Sequence, residues 1–246
     1  MHISIQIKVN MNNKLVAMIV SSTQYKEKDA LVRMISEEGK AITMIAKGAY
    51  APTSKYGAYL QPFNVCAIEC HIKEPLSTFM SASILKTFSF TDIHQLAAAS
   101  FIVQSMDNIN QMEPQSFDCW KGVEYLNLIQ HSMMAALLKF CFNCFEMDGR
   151  QLMVDECVDC GSLHVSGFSL SAGGFVCKSC SQHEKVDLHD IEVLKTLRCI
   201  SKAPLELTYR CPSHVLSMGM IQLFVHDLKD SIPLAMKSWK FMDDLV

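Results

Sequence analysis

The sequence predicts an α+β protein in which a small five-stranded β-barrel precedes a helical domain that is interrupted by a cysteine-rich insert. Three observations support this prediction. Residues up to about 85 follow the two-residue period of strands, later residues follow the helical period, and two Cys-x-x-Cys pairs interrupt the helical half. The predicted parts are a barrel domain over residues 1–85, a first helical part over 86–150, the cysteine module over 151–186 and a second helical part over 187–246.

Five short runs predict the barrel. Each is apolar or alternates between apolar and polar residues, and each ends at turn-forming or charged residues. These runs are Leu15–Val20, Ala30–Ile35, Ala41–Ala46, Phe63–Ile72 and Ser77–Leu85. Gly39 and Lys40 suit a hairpin between the second and third runs. Five strands in about seventy residues are typical of the oligonucleotide-binding (OB) fold. Residues 1–10 also alternate, and they are either a further strand or a dispensable extension.

The charge of the first 80 residues favours a nucleic-acid surface. They contain nine Lys or Arg against six Asp or Glu, although the whole chain has a net charge of −3. Basic residues contact phosphates and tyrosine rings stack on bases, so this mixture suits single-stranded nucleic acid. An ordinary solvated barrel surface is the alternative. The candidate phosphate contacts are Lys26, Arg33, Lys40, Lys47 and Lys55, with Tyr56 as a candidate stacking platform.

Helical spacing begins beyond Leu85. Asp92 is placed to cap a helix that runs to Ile109, and Pro114 can open a second helix. Val123–Phe145 then presents one broad apolar face and ends before Gly149, which suits a C-terminal cap. Three further helical runs follow the cysteine pairs, at Leu188–Ser201, Val215–Lys229 and Leu234–Leu245.

The cysteine pairs predict one zinc ion bound by Cys157, Cys160, Cys177 and Cys180. Four protein ligands leave no position for a catalytic water, so the predicted site is structural. A rival set would join Cys141 and Cys144 to the first pair, but these two residues are better explained as small core residues of a helix. The remaining cysteines are predicted to be packing residues: Cys66, Cys70, Cys119, Cys199 and Cys211.

Several functional classes find no support in the sequence. The N-terminus lacks a signal-peptide core, and no apolar run reaches the length of a bilayer span, which predicts a cytoplasmic protein without a membrane segment. No phosphate-binding loop, His-Glu-x-x-His or Gly-x-Ser-x-Gly motif occurs, which predicts a non-enzyme. The alternatives are a zinc-stabilised interaction module of another pathway and a Cys-x-x-Cys redox protein, although neither pair has the strand-then-helix context of a redox motif.

Short motifs along most of the chain resemble the RecO family of bacterial recombination mediators. They are Glu27-Lys-Asp29, Ser36-Glu-Glu-Gly39, Ala46-Lys-Gly-Ala49, Leu60-Gln-Pro-Phe63, Gly173-Gly174 before the third module cysteine, and Lys237-Ser238. The loop after Ala49 offers one lysine, Lys55, where that family is usually rich in Arg and Lys.

The resemblance to RecO implies an OB-fold barrel, a helical domain and an inserted zinc module. It also implies a non-catalytic, nucleoid-associated protein of the cytoplasm that binds single- and double-stranded DNA and anneals complementary strands. The implied protein partners are RecR, the acidic C-terminal tail of single-strand binding protein (SSB) and, indirectly, RecA.

Overall fold

A computed structural model describes residues 12–73, 76–112, 118–184 and 188–243. The strand or extension predicted at residues 1–10 and the helix start predicted at Pro114 lie outside these ranges. The chain forms two compact units that divide between Ser89 and Phe90. The finer four-part division stays a prediction.

The first unit contains a closed five-stranded barrel, as the sequence predicts. Its strands are β1 (Asn12–Tyr25), β2 (Asp29–Ser36), β3 (Ala41–Ala46), β4 (Asn64–His71) and β5 (Ser77–Thr87). They are joined in the order β1-β2-β3-β5-β4, and β4 closes the barrel against β1. All pairs are antiparallel except β3 with β5.

Alternation of side chains fills the barrel interior. Val32 and Met34 on β2, Met44 on β3, Ile68 on β4 and Phe79 on β5 are all buried in one apolar cluster. β1 continues beyond its predicted end because its polar C-terminal half keeps pairing with β2 as far as Tyr25, after a bulge between Ile19 and Ser21.

The described part of the second unit is helical apart from one hairpin. Its helices are α1 (Ile93–Met112), α2 (Gly122–His131), α3 (Met133–Met147), α4 (Lys178–Glu184), α5 (Ile191–Lys202), α6 (Met218–Leu228) and α7 (Met236–Asp243). Two 3₁₀ helices occupy Cys119–Lys121 and Leu205–Arg210. Within the described ranges, no helix has the length and apolar character needed to cross a membrane.

The prediction of one continuous helix over Val123–Phe145 is wrong. The helix breaks at Ser132, whose extended backbone ends α2 and whose hydroxyl accepts a hydrogen bond from the Ala135 N–H to begin α3. Two predicted helix caps are confirmed, Asp92 at the start of α1 and Gly149 after the end of α3. The Asp92 carboxylate accepts from the His94 N–H at 3.0 Å, and Gly149 adopts φ +74° after α3.

The cysteines outside the module have two different roles. Cys66, Cys70, Cys141 and Cys144 are buried free thiols, as predicted for packing residues. The same prediction is wrong for Cys199 and Cys211, which form a disulfide. The side chain of Cys119 lies outside the described part of the chain.

Candidate metal centre and nucleic-acid interface

The four module cysteines lie at two turns that flank a hairpin of β6 (Val165–Ser169) and β7 (Gly174–Cys177). In the first turn, the Gly161 N–H donates to the Cys157 carbonyl at 2.9 Å, and the Cys157 N–H donates to Ser162. Gly161 adopts φ +70°, which glycine reaches without a steric cost. The second turn joins β7 to α4, so Cys177 ends the strand and Cys180 lies in the first helical turn. The prediction that neither pair has a strand-then-helix context is therefore wrong for this pair, because β7 runs directly into α4.

The geometry of the four sulfurs fits a tetrahedral metal ion. The Sγ atoms of Cys157, Cys160, Cys177 and Cys180 all lie within 4.8 Å of one another, and those of Cys160 and Cys177 are 3.7 Å apart. Zinc–sulfur bonds of about 2.3 Å in a tetrahedron separate the sulfurs by about 3.8 Å. The four thiols can therefore hold a metal ion. Cys141 lies on α3 among buried apolar side chains instead.

The backbone around the sulfurs favours thiolates. Burial acts to raise the pKa of the Cys157 thiol, but backbone N–H groups of Cys177 and Cys160 direct hydrogen bonds at its sulfur and lower that pKa to about 6. The pKa of Cys180 is raised, mainly because it shares a hydrogen bond with the sulfur of Cys177. Thiols packed this closely cannot all ionise alone, and a bound cation would supply the compensating charge.

A close backbone contact fixes the entry to β7. The Met153 N–H donates to the Gly173 carbonyl, and the Met153 carbonyl accepts from the Phe175 N–H at 2.8 Å. A Cβ atom at Gly174 would collide with the Met153 carbonyl, and Gly174 has φ +153°. Only glycine fits at this position, so the chain before the first cysteine is held directly against β7.

Two sets of contacts attach this module to the helices of its own unit. The Phe168 ring on β6 stacks on Phe224 of α6, with centroids 5.5 Å apart. The Asp155 carboxylate, two residues before the first ligand, pairs with Arg198 at 2.9 Å and Lys202 at 2.7 Å on α5. These hydrogen bonds also lower the pKa of Asp155, chiefly the one from Lys202. Through these contacts with α5 and α6, the module stabilises the helical unit.

The barrel brings two predicted DNA contacts to one end. The Gly48 N–H, directly after Lys47, donates to the Asp29 carboxylate at 2.8 Å, and the Tyr50 N–H donates to the Lys28 carbonyl at 2.8 Å. These bonds join the β1–β2 turn, which carries Lys26, to the loop that begins at Lys47. We call residues 25–29 and 47–50 the β1–β2 end of the barrel.

The other predicted contacts lie elsewhere on the barrel. Arg33 is in the middle of β2, where its guanidinium donates to the Thr43 hydroxyl of β3 at 3.2 Å. Lys40 lies at the opposite end of the β2–β3 ladder and is paired with Glu38 at 2.8 Å.

Lys55 is exposed in the loop between β3 and β4. The Tyr56 ring beside it packs edge-on against Phe79, and its hydroxyl donates to the Met80 carbonyl. The Tyr56 ring is therefore partly packed against the barrel and only partly available to stack on a base.

Three further residues, Tyr25, Tyr50 and Lys28, were not among the predicted DNA contacts. The structure places all three at the β1–β2 end, where Tyr50 is 46% exposed and its hydroxyl donates to the Ser22 carbonyl. The Lys26 ammonium lies 5.3 Å from the centroid of the Tyr25 ring. The motif Glu27-Lys-Asp29 was the sequence signal that could have identified this end of the barrel. Its Asp29 carboxylate accepts the hydrogen bond from Gly48 that joins the two segments.

Comparisons with known proteins agree with this architecture. Residues 11–88 match the family described as recombination protein O, N terminal, and this range coincides with β1–β5. Curated relatives named DNA repair protein RecO extend the similarity beyond the barrel. The chain is 24% identical to that of Halalkalibacterium halodurans, with 96% of each chain covered. It is 28% identical to that of Desulforamulus reducens over 75% of this chain and 76% of the relative. The barrel thus matches the family of recombination protein O N-terminal domains, and the chain is similar to curated RecO proteins over most of its length.

Proposed function

We propose that this protein is a non-catalytic recombination mediator of DNA repair that works in the cytoplasm on nucleoid DNA. It binds single- and double-stranded DNA, anneals complementary strands and, with RecR, helps to load RecA onto DNA coated by SSB. The match of the barrel to the recombination protein O family and the similarity to curated RecO proteins support the pathway. The observation that supports DNA contact most directly is the basic and aromatic β1–β2 end of the barrel, where Lys26, Lys28 and Lys47 meet Tyr25 and Tyr50.

The backbone of Lys26 supports a functional role for its side chain. Lys26 has φ +57°, a left-handed conformation that is unfavourable by roughly 1–2 kcal/mol for residues with a Cβ atom. Glycine would adopt it without that cost. A lysine that is kept in a strained turn, exposed and next to a second basic segment, fits a phosphate contact.

The remaining predicted contacts extend the proposal along the barrel. Arg33 reaches the surface between β2 and β3, and Lys55 with Tyr56 lies in the loop that follows Tyr50. Lys40 contributes least, because its ammonium already pairs with Glu38.

Annealing of complementary strands tests the function. We expect the wild-type protein to accelerate annealing of SSB-coated strands, and the double variant K26G/K47A to lose most of that acceleration. The matched control is Lys14→Ala, since Lys14 is an exposed barrel lysine that pairs with Glu69 on β4. Equal annealing by all three proteins would rule out the β1–β2 end as the DNA surface.

We propose that the acidic tail of SSB binds between α6 and α7. A groove of about 580 Å³ lies there, with Leu223, Met236 and Trp239 as apolar lining and Lys229 and Lys240 among its basic residues. Leu223 is 65% exposed, and Lys229 also donates a hydrogen bond to the ring of His226. Exposed apolar surface flanked by cations suits a peptide that is both acidic and apolar.

Reversal of charge tests this groove. The double variant K229E/K240E should bind a fluorescent SSB-tail peptide at least about tenfold more weakly, because two favourable charge contacts become repulsive. Lys237→Glu is the control, since Lys237 lies on α7 outside the residues that line the groove. Equal peptide affinity of the double variant and the control would place the tail elsewhere, without bearing on DNA binding by the barrel.

We infer that the bound metal is one structural zinc ion. Sulfur ligands at tetrahedral spacing suit zinc, and a complete set of four leaves no site for substrate. Cys157, Cys160, Cys177 and Cys180 would hold it, and their thiolates are the form that the ion binds. Elemental analysis of the purified protein is expected to give one zinc per chain, and none in the variant C157S/C160S.

A further inference from the structure

A disulfide links two elements of the helical unit that the metal module does not contain. Cys199 lies in the last turn of α5, and Cys211 directly follows the 3₁₀ helix Leu205–Arg210, twelve residues later. Elsewhere in this unit, Cys141, Cys144 and the four module cysteines keep free thiols. One chain therefore combines thiols that must stay reduced to hold a metal with a pair that is oxidised.

The α5 side of this link is anchored independently of the disulfide. Arg198 and Lys202 pair with Asp155 beside the metal centre. The buried Lys139 of α3 donates from its ammonium to the Ser201 carbonyl at 2.9 Å. These contacts hold the last turn of α5 from two directions, so the position of Cys199 does not depend on the disulfide.

The Cys211 side lies on a short segment that rests on α2. The Tyr209 ring contacts the His131 ring at 5.6 Å between centroids, and the Ser213 and Ser132 hydroxyls are 2.6 Å apart. A cavity of about 210 Å³ lies between the 3₁₀ helix and α2, with Glu206 on one side and Glu124 on the other. A 3₁₀ helix of six residues has little stability of its own, so its position depends on contacts such as these.

We propose that Cys199 and Cys211 form a reversible dithiol–disulfide site, and that its oxidation state sets how firmly the 3₁₀ helix Leu205–Arg210 is held on α2. The disulfide ties this segment covalently to the fixed end of α5. Reduction leaves the segment held by non-covalent contacts alone, and the wall of the cavity formed by Glu206 and Tyr209 becomes mobile.

The reaction balances with ordinary cellular thiols and peroxides. In reduction, a thiolate of a small thiol attacks the sulfur of the partly exposed Cys199, and the Cys211 sulfur leaves and takes up a proton. A second thiol then resolves the mixed disulfide, so two small thiols become one disulfide. In the reverse direction, hydrogen peroxide oxidises the two protein thiols to the disulfide and is reduced to two water molecules.

Among the cysteines of this unit whose side chains the structure describes, the surroundings make this pair the selective redox site. Burial raises the pKa of Cys141 and of Cys144, which keeps both as unreactive thiols. A bound metal ion protects the four module cysteines. Cys199, in contrast, is partly exposed at the end of a helix.

Hydrogen exchange with mass spectrometry on the full chain tests the proposal. The protein is equilibrated with dithiothreitol or treated with hydrogen peroxide, and alkylation reports the fraction of the pair that is bonded. We expect full interconversion. The Leu207 and Cys211 amides, which donate to Pro204 and Thr208, should exchange about tenfold faster or more in the reduced protein. The Ala136 amide of α3 should not change.

Variants separate this effect from general loosening. Cys199→Ser and Cys211→Ser should each exchange at the reduced rate under both treatments, whereas Cys141→Ser should keep the wild-type response. Equal exchange of the segment in both redox states would overturn the proposal, and so would a pair that peroxide cannot restore after reduction.

Discussion

The Phe168 ring on the metal hairpin lies parallel to the Phe224 ring of α6, with planes 2° apart and centroids 5.5 Å apart. Phe224 in turn meets Phe142 and Phe145 of α3 edge-on, at 5.5 and 5.8 Å. The hairpin is thus continuous with the aromatic core of the helical unit. This relationship explains how a metal ion held by the four cysteines would support the fold, because the ordered hairpin supplies one ring of that core.

Truncation of Phe168 should destabilise the helical unit. We expect Phe168→Ala to lower its free energy of unfolding by about 3 kcal/mol, since a buried ring is lost and its stacking partner is left beside a cavity. Both tryptophans, Trp120 and Trp239, lie in this unit, so denaturant unfolding followed by tryptophan fluorescence measures the effect. Phe168→Leu should cost about 1 kcal/mol. An unchanged unfolding midpoint in Phe168→Ala would mean that the hairpin does not stabilise the helices.

Alanine substitutions at the adjacent Gly173 and Gly174 separate the cost of backbone strain from the cost of a steric collision of the added Cβ atom. Gly174→Ala should cost more than about 3 kcal/mol, because its Cβ atom meets the Met153 carbonyl in addition to the strain of positive φ. Gly173→Ala should cost about 1 kcal/mol, since φ is +86° but nothing lies within 4 Å of the added atom. Thermal unfolding of the two variants measures which one is destabilised more. Equal destabilisation would contradict the expected larger effect of Gly174→Ala.

Removal of the metal should act on one unit only. A structural zinc site contributes about 10 kcal/mol or more to the folding of a small module. Chelation should therefore expose the hairpin and the helices that it contacts, whereas the amides of β1–β5 should keep their protection from hydrogen exchange. Exchange before and after chelation gives the result residue by residue. Unchanged protection of the Val158 amide, which donates to the Phe175 carbonyl at 2.9 Å, and of the Phe175 amide, which donates to the Met153 carbonyl at 2.8 Å, would contradict a structural role.

Glu124 should make the stability of the helical unit depend on pH. Burial, together with the neighbouring Glu206 carboxylate, raises the pKa of Glu124 above its ordinary value. An acid with a raised pKa in the folded state favours folding at low pH, and this contribution is lost as pH rises through the raised pKa. Glu124→Gln should therefore gain stability relative to the wild type as pH rises from about 4 to about 7.

Urea unfolding of both proteins at each pH measures the difference. The gain should shrink in the background of Glu206→Gln, which removes one cause of the shift. A difference that stays constant with pH would show that the pKa of Glu124 is the same in the folded and unfolded states, and would contradict the prediction.

Local patterns predicted most of the fold. Alternation identified all five barrel strands, because a closed barrel buries every second side chain. The spacing of Cys157, Cys160, Cys177 and Cys180 predicted a cluster of four thiols that could hold a metal ion, because two short turns are enough to bring each pair together. Ser132 was missed, since the apolar face continues across it and only its backbone reveals the break between α2 and α3.

Relationships between distant segments were not readable from the sequence. The disulfide joins Cys199 to Cys211 only because the 3₁₀ helix folds back to the end of α5. Similarly, Lys47 meets the turn of Lys26 through the bond from Gly48 to Asp29, nineteen positions apart in sequence. A list of surface lysines could not separate these two from Lys40, which lies at the other end of the ladder.

The salt dependence of DNA binding is the most direct test of phosphate contacts at the β1–β2 end of the barrel. Fluorescence anisotropy with a labelled single-stranded oligonucleotide gives the dissociation constant at several salt concentrations. Lys26→Gly and Lys47→Ala should each weaken binding to unrelated sequences equally and reduce the salt slope by about 0.7, as expected for loss of one phosphate contact. Lys26→Gly should at the same time keep or raise the stability of the barrel, and Lys14→Ala should bind like the wild type. If both Lys26→Gly and Lys47→Ala keep the wild-type affinity and salt slope, neither lysine contacts a DNA phosphate and the β1–β2 end is not the DNA surface.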